Sequence, residues 1–507
     1  MPTNTPPPPG SFGGGGCVAE RRWGRGPGDP HLPHSPQSVI DAFHLPGISH
    51  PPTTTWSYGK GADAFEVRIP RLTAALLREQ VRALAAAREE HLARRPVAEI
   101  VEVVDRVAAR LLDPADPLRR TAERALPAMT NYSPAMIRLV LDRMAADWRA
   151  APIRELLRSE FGDPRVLDGF FPAQRGGGER MAIGPRLVAN VFSGNVPGVA
   201  VTALVRCLLL KSAALGKTAV GEPLLATLFA RGVAEVDAGL GACLAVTYWP
   251  GGDDEMERTA LEAADAVVVY GGADAVSAVR ERTPTGTRFL GYGPKISFGV
   301  VGRDALTRDA AADAARGAAL DASTFDQQGC VSPHLFYVEE GGAVSSREWA
   351  ALLAREMEAV ERELPRGTLA PRESSSIRQL RAVAEFAEVG GGGTELHASR
   401  EGTAWTVIHE PDSAFTASCL NRVVRVKPVT SLADVPALVE RFGPYLQTVG
   451  VAASPEAARG LGAALAPVGV ARVTTLGKMA WPPQTWHHDG RPPLRELVRW
   501  CDLETSG

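Results

Sequence analysis

Apolar residues recur at helical spacing through the early part of the chain, from about residue 70 to 160. Between residues 97 and 111 they fall on one face, and Asp113-Pro114 closes that segment. Ser133-Pro134 predicts another helix start, because serine suits the N-cap and proline the first helical position. The pattern predicts a helical region without visible chemistry.

From about residue 184 the pattern changes to short apolar runs separated by helical segments. The predicted strands are 187–192, 217–220, 244–249 and 266–270. One predicted helix ends near 214, and two others span 223–233 and 254–264. Short apolar strands that alternate with helices indicate a parallel, doubly wound sheet. Such sheets bind ligands at the carboxyl ends of their strands.

A second α/β series begins near Ile296. Its predicted strands are 296–301, 335–338, 423–426 and 449–452, its predicted helices are 304–320 and 347–363, and Gly390–Gly393 is a predicted loop. We therefore expect a domain boundary near Gly293 and no internal repeat.

The beginning of the chain differs in composition from the rest. Residues 1–36 contain nine Pro and eight Gly. A segment of this composition buries too little apolar surface to offset the conformational entropy lost on ordering. We predict five segments: 1–55 a disordered tail, 56–180 a helical region, 181–292 a dinucleotide-binding domain, 293–470 a catalytic domain with the cysteine, and 471–507 a C-terminal tail in oligomer contact.

Composition excludes several classes of protein. The 507 residues are 45% hydrophobic and 22% charged with a net charge of -3, which predicts two or three globular domains. A near-neutral chain has no global bias toward nucleic acid, and the most apolar run, Val196–Leu210, is too short for a membrane span. Six cysteines without a Cys-x-x-Cys pair predict neither a disulfide framework nor a metal site. We expect a cytoplasmic protein.

Cys330 is the first candidate for chemistry. It lies in Gln327-Gln328-Gly329-Cys330, on a predicted turn just before a strand, where nearby amides can stabilise a thiolate and an oxyanion. The alternative is a buried cysteine in a polar loop. His334, four residues on, is a possible partner, although a histidine at a strand start is more often structural.

Three other segments contain residues at strand ends. Asn195 lies in a strand-to-helix turn and suits either an oxyanion donor or a helix cap. Lys217 suits a ribose hydroxyl or phosphate, although most lysines are solvated surface charges. Gly271 and Gly272 open a helix where a pyrophosphate can approach, but they do not form the full Gly-x-Gly-x-x-Gly motif.

The order and the amino-acid sequences of these segments resemble those of the acyl-CoA reductase (LuxC-like) family of the aldehyde dehydrogenase superfamily. The resemblance is in 191–198, 245–253, 289–293, 327–330 and the terminal 486–492. It implies an α/β, aldehyde-dehydrogenase-like fold with two doubly wound parallel-sheet domains, a helical N-terminal region and a small C-terminal oligomerisation segment.

The resemblance also implies roles for individual residues. Cys330 would be the acyl-accepting nucleophile, Asn195 and the Cys330 amide the oxyanion donors, and Lys217, Gly271 and Gly272 cofactor contacts. Gly291 stands where ordinary aldehyde dehydrogenases carry the glutamate that activates hydrolytic water. NADPH is the expected cofactor and NADH the alternative, because Lys217 suits a 2′-phosphate while Glu222 suits a free ribose hydroxyl.

These features predict an enzyme that reduces an acyl thioester to an aldehyde. The donor would be acyl-CoA, an acyl carrier or an acyl-activating protein, and the enzyme a homo-oligomer. Three alternatives stay open: a cysteine-dependent acyl transferase or thioesterase, a forward aldehyde dehydrogenase, and a non-catalytic subunit of an acyl-activating complex. For the tail with His487, His488 and Asp489 we favour a structural or oligomer-contact role, since adjacent histidines point to opposite faces.

Overall fold

The computed structural model describes residues 39–59, 61, 64–172 and 178–504. The first described residues form a small sheet in the order β1-β3-β2. Its strands are β1 (Val39–Asp41), β2 (Thr53–Tyr58) and β3 (Phe65–Pro70). The prediction of a disordered tail over residues 1–55 is therefore wrong for residues 39–55, where β1 and β2 form and Ala42 and Leu45 are buried. Residues 1–38 lie outside the described residues.

Five helices follow, as the helical spacing predicted. They are α1 (Ala74–Ala87), α2 (Val97–Leu112), α3 (Pro117–Thr130), α4 (Pro134–Asp147) and α5 (Ala150–Phe161). The apolar stripe of α2 is buried, and the predicted cap is confirmed at α4, where the Ser133 hydroxyl accepts from the Met136 N–H at 3.2 Å. Helix α2 packs against α4 and α5, so these helices share one core.

The first large sheet is parallel throughout, in the order β10-β9-β6-β7-β8. Its strands are β6 (Leu187–Val191), β7 (Ala213–Lys217), β8 (Leu244–Thr247), β9 (Ala266–Tyr270) and β10 (Arg288–Tyr292). The helices are α6 (Val199–Leu209), α7 (Leu225–Val236), α8 (Ala238–Ala242), α9 (Asp254–Glu262) and α10 (Ala273–Arg282).

One predicted strand of this sheet was misplaced. We expected a strand at 217–220 after a helix to 214, but β7 covers Ala213–Lys217. Alanine favours helices, so the pattern suggested that α6 continued. Lys211 adopts a left-handed φ of 56° and stops the helix, after which Ala213 and Ala214 are buried in the sheet. Lys217 consequently ends a strand instead of starting one.

The second large sheet has seven strands in the order β13-β14-β15-β12-β11-β16-β17, and only β13 is antiparallel. The strands are β11 (Ile296–Val301), β12 (Pro333–Glu339), β13 (Glu395–Ala398), β14 (Thr406–His409), β15 (Val423–Val429), β16 (Leu446–Ala452) and β17 (Arg472–Thr475). The helices are α11 (Arg308–Ser323), α12 (Ser346–Glu363), α13 (Pro371–Val389), α14 (Val435–Val439) and α15 (Pro455–Leu465).

A third, small sheet ties the chain end back to the middle of the sequence. Strand β18 (Arg499–Leu503) pairs antiparallel with β5 (Glu179–Ile183), which also pairs with β4 (Phe171–Pro172). Just before β18, the N–H groups of Leu494 and Arg495 donate to the buried carboxylate of Glu160 at 3.3 and 2.9 Å. These contacts anchor the end of the segment between β17 and β18, which earlier passes the first sheet where His488 stacks on Tyr292.

Candidate active site

The predicted site residues lie at facing edges of the two large sheets. Asn195 follows the carboxyl end of β6, and Lys217 ends β7, while Cys330 precedes the amino end of β12. Nδ2 of Asn195 donates to the backbone carbonyl of Gln328 at 2.9 Å, two residues before Cys330. The structure therefore brings the predicted nucleophile and the predicted oxyanion donor together.

The Cys330 thiol is half-buried on a turn that the neighbouring strand holds in place. The Ser297 hydroxyl at the start of β11 donates to the Cys330 carbonyl at 2.8 Å. Burial raises the pKa of the thiol to about 11 and the charge of Asp489 adds to the rise, while Gln447 and Lys295 oppose it. The thiol is protonated at neutral pH, so its attack on a carbonyl needs a proton acceptor.

The segment that leads to Cys330 contains three consecutive non-glycine residues with positive φ. Phe325, Asp326 and Gln327 have φ values of 55°, 48° and 64°. Such a conformation costs free energy and persists only where surrounding contacts impose it. Gln327 provides two of them, since its amide donates to the Val423 carbonyl at 2.8 Å and its oxygen accepts the Val423 N–H at 2.9 Å. The turn before the thiol is thus held by strand β15.

A second run of left-handed residues, Leu420, Asn421 and Arg422, faces the first. The amide of Gln328 donates to the Asn421 side-chain oxygen at 2.9 Å. The guanidinium of Arg422 is fully buried and lies 2.7 Å from the Asp326 carboxylate. Because a buried charge is costly to leave alone, this ion pair keeps the two strained loops together beside the thiol.

Tyr132, in the helical region, contacts both the Asn195 loop and the Cys330 loop. No sequence pattern predicted this contact. Its buried hydroxyl lies 2.5 Å from the carbonyl oxygen of Asn195 and 3.1 Å from that of Phe325. The single hydroxyl hydrogen serves one of these carbonyls at a time. The turn between α3 and α4 therefore helps to set the distance between the Asn195 loop and the Cys330 loop.

Asn195 is not the cap of the helix that follows it. Helix α6 begins at Val199 with Gly198 as its N-cap, and no side chain caps it. Gly198 has a φ of 97°, and a Cβ there would lie 2.8 Å from Cγ of Met144. Glycine is needed at this turn, and the Asn195 side chain is left exposed and directed at the Cys330 loop.

The C-terminal residues 486–491 return to the thiol, which differs from the expectation of a purely structural or oligomer-contact tail. Nε2 of His488 lies 3.8 Å from Sγ of Cys330. The imidazole stacks on the rings of Tyr292 and Trp486, with centroid distances of 4.4 and 4.8 Å. Burial lowers the pKa of His488 to about 3, helped by the charges of Arg206, Lys295 and Arg491, so the ring beside the thiol is neutral.

Asp489 lies next to His488 and is nearly enclosed. Its Oδ1 accepts from the Gln447 amide at 2.8 Å, and its Oδ2 lies 3.4 Å from the Lys295 ammonium. Nε2 of His488 is 3.6 Å from Oδ1. Burial raises the pKa of Asp489, while Lys295, Gln447 and Arg491 oppose the rise. A carboxylate, an ammonium and an imidazole thus converge beside Cys330.

His334 is separate from this group. Its Nδ1 accepts from the backbone N–H of Ser418 at 3.2 Å, inside β12 and its neighbouring loop. Burial lowers the pKa of His334 to about 4. The structural interpretation of His334 fits these contacts, and the histidine that contacts Cys330 lies 158 residues away in sequence.

A side chain at Gly291 would require its neighbours to move. A Cβ at this position in β10 would lie 2.7 Å from Cγ1 of Val276 and 2.9 Å from Cε1 of Phe289. The glutamate base of ordinary aldehyde dehydrogenases, which the family resemblance predicts to be absent here, would need Val276 and Phe289 to shift. The carboxylate whose charge acts on the thiol is Asp489, whose oxygens are held by Gln447 and Lys295.

Lys217 lies under two aromatic rings at the end of β7. Its Nζ is 6.0 Å from the Tyr248 ring centroid and 5.8 Å from that of Trp249. Burial lowers the pKa of Lys217, and the charge of Glu257 opposes the fall. Within the described residues Lys217 forms no ion pair. A half-buried ammonium without a carboxylate partner suits an anionic ligand.

Glu222 has a structural contact that the sequence did not reveal. Its Oε1 accepts the backbone N–H groups of Leu224 and Leu225 at 2.8 and 2.7 Å, and its side chain is buried. Burial raises its pKa, while these two N–H groups oppose the rise. The carboxylate therefore caps the start of α7, and a ribose contact for Glu222 stays a prediction.

Gly271 and Gly272 lie where the sequence placed them, between β9 and α10. Gly272 is the N-cap of the ten-residue α10, and a Cβ at Gly272 would meet no atom within 4 Å. The Gly271 N–H donates to the Tyr292 carbonyl at 3.1 Å. The open approach to the helix N-terminus is compatible with a phosphate group.

Two further properties concern the whole described part of the chain. Across residues 39–504, apart from the gaps given above, no three His, Cys, Asp or Glu side chains are grouped so as to hold a metal ion. In the same residues, no helix combines the length and apolarity needed to span a bilayer. Cys207, Cys243, Cys330, Cys419 and Cys501 are free thiols.

The sequence analysis therefore assigned no catalytic or binding role to five residues of this site: Tyr132, Gln447, Lys295, His488 and Asp489. The one available signal was the cluster of aromatic and ionisable residues in Trp486-His487-His488-Asp489. Tyr132 and Gln447 had no such signal, because each acts through a contact with a distant segment.

Comparison with known proteins assigns the chain to one protein family. Residues 92–500 match the family model described as acyl-CoA reductase (LuxC). The long-chain acyl-protein thioester reductase of Aliivibrio fischeri is 26% identical over 396 residues, which are 76% of this chain and 78% of that protein. The protein of the same name from Vibrio harveyi is 25% identical with the same coverage of each chain.

Solved structures show the fold. An indole-3-acetaldehyde dehydrogenase in complex with NAD+ matches with a TM-score of 0.73 at 14% identity, covering 92% of this chain and 98% of that one. The NADP-dependent glyceraldehyde-3-phosphate dehydrogenase of Bacillus halodurans, complexed with NADP, has a TM-score of 0.68 at 14% identity and covers 92% and 100%. The predicted aldehyde-dehydrogenase-like α/β fold is confirmed.

Proposed function

The chain belongs to the acyl-CoA reductase (LuxC) family and is an acyl thioester reductase, and we propose that Cys330 carries the acyl group from donor to aldehyde. The observation that supports this role is the placement of Cys330 between Asn195, through the Gln328 carbonyl, and the neutral ring of His488. A nucleophile, an amide donor and a proton acceptor thus lie within one small volume, as acyl transfer requires.

In the first half of the reaction, a bond forms between Sγ of Cys330 and the acyl carbon, and the bond from that carbon to the donor sulfur breaks. The thiol proton leaves Cys330, and the departing thiol takes up a proton. Nδ2 of Asn195 has two hydrogens, one of which is used by Gln328, so the other is available to the oxyanion. The backbone N–H of Cys330 is the second proposed donor.

In the second half, the acyl carbon is reduced and released. When bound, a reduced nicotinamide supplies hydride to this carbon. Asn195 again stabilises the tetrahedral oxyanion, the carbon–Sγ bond breaks, and the Cys330 thiolate takes up a proton from solvent as the aldehyde leaves. Since Gly291 offers no carboxylate to activate water, the acyl group on Cys330 is poorly equipped for hydrolysis to an acid.

The residues at the first sheet fit a phosphorylated dinucleotide. Gly272 leaves the N-terminus of α10 open for a pyrophosphate, and Lys217 offers an ammonium without a partner among the described residues. The Glu222 carboxylate is engaged by helix amides, which removes the main acidic competitor for a 2′-phosphate. We therefore propose NADPH as the cofactor, with NADH as the alternative.

Replacing Lys217 with methionine is expected to raise KM for NADPH about 10-fold or more, since a charge-assisted hydrogen bond contributes about 1.5–3 kcal/mol. Methionine keeps the apolar stem under Tyr248 and Trp249. KM for NADH is expected to change less. Steady-state kinetics with both cofactors checks this, with the exposed Lys478→Met as the matched control. An unchanged KM for NADPH in Lys217→Met would contradict the 2′-phosphate assignment.

We further propose that the donor is an acyl-protein or acyl-CoA. The relatives are named for acyl-protein thioesters and the family for acyl-CoA, and the two donors share the acyl–sulfur bond. A homo-oligomer through residues 471–507 and a location in the cytoplasm remain part of the proposal. The five free thiols agree with a reducing compartment.

The function is tested by following NADPH oxidation, thiol release and aldehyde formation together across acyl-CoA chain lengths. Equal amounts of all three products are expected. Thiol release without NADPH oxidation would indicate an acyl transferase or thioesterase. Preferential formation of acid from free aldehyde and NADP+ would indicate a forward aldehyde dehydrogenase.

A further inference from the structure

The contact between His488 and Cys330 has a chemical use beyond holding the tail in place. We propose that Nε2 of His488 takes the proton of the Cys330 thiol as the acyl–Sγ bond forms, and returns it to the departing thiol. The inference deepens the proposed function and rests on Cys330 being the nucleophile.

Distance and orientation both support the transfer. Nε2 and Sγ are 3.8 Å apart, within the range of a sulfur hydrogen bond, and the ring plane is fixed between Tyr292 and Trp486. A ring held this way lies at the thiol before the substrate arrives. A proton acceptor must be within hydrogen-bond reach of the proton it takes, and His488 meets this condition.

The charges around the pair favour a neutral imidazole over a permanent ion pair. Lys295, Arg206 and Arg491 all disfavour the imidazolium, and burial disfavours both the imidazolium and the thiolate. Nε2 therefore has a lone pair available to the thiol when Nδ1 carries the ring hydrogen. The proton moves only while the sulfur–carbon bond forms, and no net charge is left in the site once the departing thiol is protonated.

The other ionisable group beside the thiol is less suited to this transfer. Both oxygens of Asp489 are engaged, Oδ1 by the Gln447 amide at 2.8 Å and Oδ2 by Lys295 at 3.4 Å. Asp489 itself has a left-handed φ of 56°. Such a conformation in a non-glycine residue is costly and persists only where surrounding contacts impose it. Lys295 carries no lone pair when charged.

The test measures acylation separately from reduction. With acyl-CoA and no NADPH, a single turnover releases one equivalent of CoA as Cys330 is acylated. His488→Gln is expected to slow this release about 100-fold, in the range of general acid–base catalysis. His487→Gln, the same change at the exposed neighbouring residue, is expected to acylate like the wild type.

The pH dependence of acylation separates proton transfer from packing. In the wild type the rate is expected to change little between about pH 5 and 9, because the thiol stays protonated and His488 neutral. In His488→Gln attack depends on the thiolate, so the rate should rise about tenfold per pH unit. The other charged groups near the pair are Asp489, Lys295, Arg206, Arg491 and Arg472. Asp489→Asn should leave the flat profile intact.

Rescue provides a second readout. His488→Ala removes the ring between Tyr292 and Trp486, and added imidazole is expected to restore acylation in a concentration-dependent way. The proposal is overturned if His488→Gln acylates at the wild-type rate with the wild-type pH profile, or if its slower acylation keeps that profile and imidazole has no effect on His488→Ala. Cys330→Ala is measured in parallel: if it still forms aldehyde, the proposed function itself fails.

Discussion

Cys330→Ala is expected to abolish aldehyde formation from an acyl thioester, with a loss in kcat of at least about four orders of magnitude. Removing the nucleophile of an acyl-transfer site removes the covalent route altogether. The large effect follows from position as well as from chemistry. Cys330 is the thiol next to both Asn195, through Gln328, and His488, and the remaining free cysteines are elsewhere in the fold.

The measurement for Cys330→Ala combines kinetics with intact-protein mass spectrometry. The wild type incubated with acyl-CoA and no NADPH should gain the mass of one acyl group, and the variant should gain none. Cys501→Ala in β18 is the matched control, because it removes a free, half-buried thiol remote from β12. Full acylation of Cys330→Ala would show that another group accepts the acyl chain.

Asn195→Ala is expected to lower kcat by about 10²- to 10³-fold, the usual cost of deleting one oxyanion donor. KM for the thioester should change little, since the amide interacts mainly with charge that develops in the transition state. Both half-reactions pass through a tetrahedral oxyanion, so acylation and aldehyde formation should slow together.

A structural explanation for the Asn195 variant must be tested as well, because the same amide also binds the Gln328 carbonyl at 2.9 Å. Alkylation of Cys330 by iodoacetamide forms no oxyanion, so its rate reports only the state and access of the thiol. An unchanged alkylation rate in Asn195→Ala is expected. If alkylation falls as much as turnover, Asn195 holds the Cys330 loop and is not an oxyanion donor.

In the proposed mechanism, the residues around the thiol favour reduction of the acyl group over its hydrolysis. Gly291 carries no carboxylate and is closely packed by Val276 and Phe289, and the oxygens of the Asp489 carboxylate are engaged by Gln447 and Lys295. A water molecule near the acyl group therefore lacks a free carboxylate base among these residues. The acyl group can await hydride without being lost as the acid.

Much of the chain was predictable from local pattern. The strand at Ala266–Tyr270 and the cap of α4 at Ser133 were predicted as observed, because alternation, capping and proline positions act over a few residues. The resemblance to the family similarly placed Cys330 and Asn195, whose motifs are contiguous. An error arose where the tertiary structure overrode a local preference, at Ala213–Lys217, where alanine suggested more helix than β7 allows.

What the sequence determined by itself was the α/β alternation, and it also supplied the candidates proposed as nucleophile and amide donor, Cys330 and Asn195. Only the tertiary structure decided the surroundings of the thiol. His488 and Tyr132 reach the Cys330 and Asn195 loops from segments that are 158 and 63 residues away from their partners. The conformations at Phe325–Gln327 and Leu420–Arg422 exist because packing imposes them on residues that would avoid them alone. Contacts of this kind depend on how whole elements pack, and no spacing rule in one sequence encodes them.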